Sequence, residues 1–119
     1  MFKGNTTIPE TWHELNTTSQ LDEIDTISRS IPCVIFKHST RCSISSNAYG
    51  RLERDFWKMA DNIQFFYLDL LAHRDVSNEL ETRYLVQHES PQILVIRDAR
   101  CIGHTSHNGV NADAVLSFL

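Results

Sequence analysis

Continuous apolar runs alternate with amphipathic helical patterns along most of the chain, and this alternation narrows the available folds more than any other feature. Cys33-Val34-Ile35-Phe36 is an unbroken apolar run rich in β-branched residues, the composition of a strand buried on both faces. Ile63 to Leu70 and Gln92 to Arg97 read as two further strands, and Asp98-Ala99-Arg100 as a tight turn into a fourth, Cys101 to Ser106. Between the strands, apolar residues recur at helical intervals: Leu21, Ile24 and Ile27; Ile44, Ala48, Leu52, Phe56 and Met59; Val76, Leu80, Tyr84 and Leu85. Asp22, Glu23 and Asp25 place acid near the positive end of the first helix, and Asn111 is a plausible N-cap for a last helix running to Leu119.

The resulting order is αβαβαββα. It predicts an α/β domain over residues 19–119, with a four-stranded mixed sheet flanked by helices on both faces. Among small domains that is the thioredoxin-like arrangement. Residues 1–18 read as a polar N-terminal lead-in.

Length and charge limit the function. A chain of 119 residues holds one core. Eleven Lys and Arg against fifteen Asp and Glu give a net charge of −4, the wrong balance for neutralising phosphates, so no nucleic-acid partner is expected. The first residues contain no apolar run of signal-peptide length, and no stretch approaches a membrane span, so a cytoplasmic protein without a membrane partner is expected. Cys33, Cys42 and Cys101 are odd in number and irregularly spaced, which fits neither a disulfide framework nor a zinc knuckle.

Cys42 stands out among the three by its place at a strand-turn-helix junction. The first turn of a helix offers N–H groups without intrahelical partners and about half a positive charge, and both favour thiolate over thiol. Lys37, His38 and Arg41 lie within five residues upstream, so Cys42 is expected to be a thiolate at neutral pH. Where a dithiol redox protein would carry its second cysteine, three residues on, this chain has Ser45. Cys42-Ser43-Ile44-Ser45 cannot close an internal disulfide, but its single thiol can accept a small thiol from a mixed disulfide and surrender it to another thiol. The Ser45 hydroxyl, one turn along the helix, could donate to that thiolate.

Ser90-Pro91 falls just before the third strand, where a thioredoxin-like fold places a cis proline facing the catalytic turn and where the preceding backbone meets the incoming thiol or peptide. An ordinary trans proline opening a strand is the alternative. Cys33 and Cys101 read as small hydrophobes. His104 and His107 resemble a metal pair, but residues three apart on a strand face opposite sides, so no metal site is expected. His104 is a candidate for the edge of the site.

Three blocks in this order, Lys37 to Ser45, His88-Glu89-Ser90-Pro91-Gln92 and His104-Thr105-Ser106-His107, resemble the YtxJ family, the monothiol bacilliredoxins of the bacillithiol system. The resemblance runs from about Ser19 onward. It implies a thioredoxin-like fold and a bacterial, cytoplasmic thiol-disulfide oxidoreductase that removes bacillithiol from S-bacillithiolated proteins. Cys42 would be the catalytic nucleophile. Arg41, Ser45 and His38 would stabilise its thiolate, and Lys37, Ser90, Pro91 and His104 would bind the thiol.

Bacillithiol would act as co-substrate, with no tightly bound cofactor, and the two carboxylates of its malate would be expected near Arg41 or Arg51. The partners would be S-bacillithiolated proteins and a low-molecular-weight thiol, the chain itself a monomer or weak dimer. Two departures are visible: Ser43 follows the cysteine where the family usually has proline, and Asn108-Gly109-Val110 stands where a tryptophan is common. The competing readings are a monothiol glutaredoxin-like protein that uses glutathione or bridges an iron-sulfur cluster, and a non-catalytic interaction module of the same fold.

Overall fold

A computed structural model of the chain describes residues 8–119. Residues 1–7, part of the expected lead-in, lie outside the described residues. The described chain contains strands β1 (Trp12–Glu14), β2 (Cys33–His38), β3 (Gln64–Asp69), β4 (Gln92–Arg97) and β5 (Arg100–Ser106). The helices are α1 (Ser19–Ile27), α2 (Ser43–Asp55), α3 (Arg74–Tyr84) and α4 (Ala112–Phe118).

The sheet is mixed, in the order β1-β3-β2-β4-β5. The first three of these strands run parallel, whereas β4 is antiparallel to β2 and β5 antiparallel to β4. The sheet thus has five strands where the sequence predicts four. The added strand β1 lies inside the segment read as a polar lead-in and pairs with β3 from Trp12 to Glu14. Its three residues offer one buried side chain, Trp12, followed by exposed His13 and Glu14. So short a strand carries no alternation for a periodicity argument to detect.

The two faces of the sheet bury separate apolar clusters. On one side Val34 and Phe36 of β2 pack with Ala48 and Leu52 of α2 and with Ala112 and Val115 of α4. On the other, Cys33 and Ile35 pack with Leu21 and Ile24 of α1 and with Val76, Leu80 and Tyr84 of α3. Alternation along β2 therefore assigns even-numbered residues to the α2 side and odd-numbered residues to the α3 side. The whole of β2 is buried, as a strand covered on both faces must be.

Local chemistry sets the ends of these elements. The Asn111 side chain caps α4 by accepting from the Ala114 N–H at 2.8 Å. Asp98 and Ala99 take left-handed φ values of 53° and 63°, as a two-residue hairpin turn with the right twist requires. Buried Ser28 holds that turn: its carbonyl accepts from Asp98 N at 2.9 Å and its hydroxyl from Ala99 N at 2.8 Å.

Candidate active site

Cys42 is the N-cap of α2, with extended backbone angles of φ −112° and ψ 125°. Its carbonyl accepts the first helical bond from Ser46 N at 2.9 Å, and its own N–H closes a turn on Ser39 O at 3.2 Å. The N–H groups of Ser43, Ile44 and Ser45 are the donors that a helix start leaves without intrahelical acceptors. The thiol is half-buried, and Ile44, two residues on, is half exposed.

Ser45 is fully buried behind this turn. Its hydroxyl oxygen accepts from Ser39 N at 3.0 Å and lies 2.7 Å from Nδ1 of His38. His38 is the last residue of β2 and, by the alternation, faces α2; its ring packs against Tyr49 and Tyr67 at 5.3 and 5.7 Å. Burial lowers its proton affinity, which Asp69 and the Ser45 contact only partly restore, so the ring is neutral at neutral pH. His38, Ser39 and Ser45 thus form one hydrogen-bonded unit beneath the turn that presents Cys42. Arg41 is exposed on the turn immediately before the thiol.

The Ser90-Pro91 peptide is cis. Gln92 pairs with Lys37 and Ile93 with Phe36, so the next residue back along β4, Pro91, is level with His38 at the border of the sheet end from which the Cys42 turn departs. The Pro91 carbonyl accepts from His107 N at 2.9 Å, which ties the turn after β5 to this border.

Two sequence candidates lie apart from this group. Lys37 is odd-numbered on β2 and projects to the α3 side, where its Nζ meets His88 Nδ1 at 2.6 Å and Gln92 Oε1 at 3.1 Å. Its side chain is on the opposite face of the sheet from α2, which proximity in sequence could not reveal. His104 is exposed on edge strand β5 opposite Leu94, two pairs away from the Gln92–Ser106 pair at the site end. Arg51, considered for a carboxylate, directs Nε and Nη2 at the carbonyls of Val110 and His107, at 3.2 and 3.1 Å.

Sequence reading also overlooked a polar cluster on the α3 side, centred on Lys37, Gln92 and Glu89. The buried lysine in an otherwise apolar strand was the available signal. Among the described residues no group of three or more His, Cys, Asp or Glu is placed to hold a metal ion.

The other two thiols are remote from Cys42. Cys33 starts β2 while Cys42 follows its end, and five strand steps alone separate Cys33 from His38 by about 16 Å. Ile96 pairs with both Cys33 and Cys101, which puts Cys101 at the same far end of the sheet. Burial, with help from Asp25, pushes the Cys33 thiol up to about 12, and burial also raises Cys101.

Solved structures share the fold. A thioredoxin-fold protein assigned as an oxidoreductase superposes with a TM-score of 0.79 at 23% identity, over 91% of this chain and 93% of its own. Thioredoxin from Fasciola hepatica gives 0.70 at 13%, over 88% and 93%. Mitochondrial thioredoxin 3 from Saccharomyces cerevisiae gives 0.65 at 18%, over 89% and 91%. At these identities the likeness establishes the thioredoxin fold. Residues 13–115 match the family described as monothiol bacilliredoxin BrxC. With a thioredoxin-like α/β fold, a half-buried cysteine capping α2 and no second thiol in reach, this chain belongs to the monothiol bacilliredoxin BrxC family.

Proposed function

We propose that the protein removes bacillithiol from S-bacillithiolated proteins in a bacterial cytoplasm, with Cys42 as nucleophile. The observation that carries this reading is the isolation of Cys42: it caps a helix, is half-buried, and has the other two thiols at the far end of the sheet. A thiol so placed cannot resolve its adduct internally and must exchange with a second thiol molecule.

The exchange balances in two steps. The Cys42 thiolate attacks the bacillithiol sulfur of the mixed disulfide; a new S–S bond forms, the old one breaks, and the target cysteine leaves as thiolate and takes a proton. A second low-molecular-weight thiol, as its thiolate, then attacks the bacillithiol sulfur on Cys42. This releases Cys42 as thiolate and leaves bacillithiol disulfide when the incoming thiol is bacillithiol, so each target cysteine is reduced at the expense of one free small thiol.

In this reading Ser45 and His38 would act on the thiolate through one hydrogen atom, that of the Ser45 hydroxyl. The hydroxyl accepts from Ser39 N. When His38 carries its proton on Nδ1, the hydroxyl accepts there too and its own hydrogen is free for the sulfur. In the other tautomer Ser45 spends that hydrogen on Nδ1. Arg41, exposed beside the thiol, attracts anionic thiols, and Ser90-Pro91 borders the mouth where the mixed disulfide docks.

Mass spectrometry after incubation with a bacillithiolated peptide tests the reading. Wild type should gain one bacillithiol on Cys42 and Cys42→Ser none; an adduct on Cys33 or Cys101, or none at all, rejects it. A faster reaction with a glutathionylated peptide would favour the glutaredoxin-like alternative.

A further inference from the structure

We infer that Lys37 is a positioning residue, which from the far face of the sheet fixes the Gln87–Gln92 segment and so holds Ser90-Pro91 beside the Cys42 turn. This rests on the reading of Cys42 as the exchanging thiol. The geometry begins with an anomaly. Lys37 is only 1% exposed, and among the described residues no carboxylate lies within ion-pair distance of it. Its recorded acceptors are neutral: His88 Nδ1 at 2.6 Å and Gln92 Oε1 at 3.1 Å. A buried cation on neutral acceptors opposes folding, and a methionine of similar length would fill the same space at lower cost.

What the lysine does is gather the segment that leads into β4. Gln92 Oε1 also accepts from Glu89 N at 3.4 Å, and Gln92 Nε2 donates to Gln87 O at 3.0 Å. His88 N donates to Glu81 Oε2 of α3 at 3.1 Å, and the Ser106 hydroxyl donates to Glu89 Oε1. Lys37 therefore joins β2 to both sides of the segment at once, through the His88 ring and through the Gln92 amide. The chain leaves this cluster at Ser90, whose buried Oγ has no hydrogen-bond partner among the described residues. Pro91 follows, level with His38 by the β2–β4 register.

The tie requires a lone pair on His88 Nδ1, and so a neutral ring protonated on Nε2. The groups facing His88 are Lys37 from β2, Arg74, Ser77 and Glu81 from α3, and its neighbour Glu89. Burial first, then Lys37, lowers its proton affinity and keeps the acceptor available at neutral pH.

The test measures kcat and KM with a bacillithiolated protein, and separately the rate of Cys42 alkylation by iodoacetamide. Lys37→Met and His88→Leu should each raise KM roughly five- to ten-fold, the size of about one ordinary hydrogen bond's net contribution, with alkylation within about two-fold of wild type. His88→Gln, whose amide oxygen can accept from Nζ, should recover most of the loss. Unchanged KM in both Lys37→Met and His88→Leu would overturn the role. So would alkylation that slows in step with kcat in Lys37→Met, since the charge would then act on the sulfur. No turnover by wild type would overturn the exchange reading itself, and this role with it.

Discussion

His38 Nδ1 and Ser45 Oγ, seven residues apart in sequence, meet at 2.7 Å beneath the turn that carries Cys42. The contact couples the end of β2 to the first turn of α2, and the same hydroxyl accepts from Ser39 N. Ser45→Ala strands both partners in a buried site, so it should lower stability by about 1–3 kcal/mol. It should also slow Cys42 alkylation several-fold at pH 7. Ring ¹⁵N shifts of His38 should show the proton on Nδ1. A proton on Nε2, with alkylation unaffected in Ser45→Ala, would leave Ser45 a purely structural residue.

The remoteness of the other thiols leads to a second expectation. Cys33→Ala combined with Cys101→Ala should retain full turnover, and oxidation of wild type should produce no intramolecular disulfide detectable on non-reducing peptide maps. Cys33 is fully buried, so the double variant should unfold at lower urea, by about 1–2 kcal/mol for the truncated side chain. Loss of turnover at unchanged fold would mean that one of them takes part in resolution.

Lys37 sets a third, through linkage. Burial holds its ammonium down to about 8, against 10.5 in the unfolded chain, with Glu81 and Glu89 opposing. Between these values the unfolded state binds more protons, so the contribution of Lys37 to stability rises with pH across that window. Below pH 8 the buried charge is a standing penalty on the order of 3 kcal/mol. Lys37→Met should therefore be more stable than wild type at pH 7, and the advantage should shrink as pH approaches 10.5. Urea midpoints of the two proteins at pH 7 and pH 10 check it; comparing them cancels the tyrosines and Cys33, which titrate in both. A difference independent of pH would show that the charge carries no such penalty.

Much of this was legible in the sequence because the signals were local and periodic. The β2 run and the α2 stripe place Cys42 at a helix start, and Ser90-Pro91 sits where the topology wants it. What could not be read depends on which way a strand residue points. Lys37 and His38 are adjacent in sequence yet belong to opposite faces of the sheet. Position along the chain counts both as cations near Cys42; alternation sends one to Ser45 and the other to His88. Arg51 looked available for a carboxylate because its partners are carbonyls more than fifty residues away, which no helical pattern reports. The strand at Trp12 escaped because its pairing with β3 is long-range and its length too short for periodicity.

Arg41 and Arg51 provide the last separation. Arg51 donates to His107 O and Val110 O, and Val110 is fully buried. Arg51→Ala leaves those carbonyls without this donor and frees the turn that contacts Pro91, so it should lower stability by about 0.5–1.5 kcal/mol. Arg51→Lys should rescue little, because one ammonium cannot reproduce two donors of a planar fork. Arg41 is exposed on the turn before the thiol and has no comparable packing to lose. Arg41→Ala should melt with wild type while reacting a few-fold more slowly with an anionic thiol disulfide at low salt. That deficit should fade at about 1 M salt, where screening shortens the reach of a surface charge to roughly 3 Å. If Arg41→Ala reacts at the wild-type rate in low salt, the positive field at the mouth comes from the helix start alone.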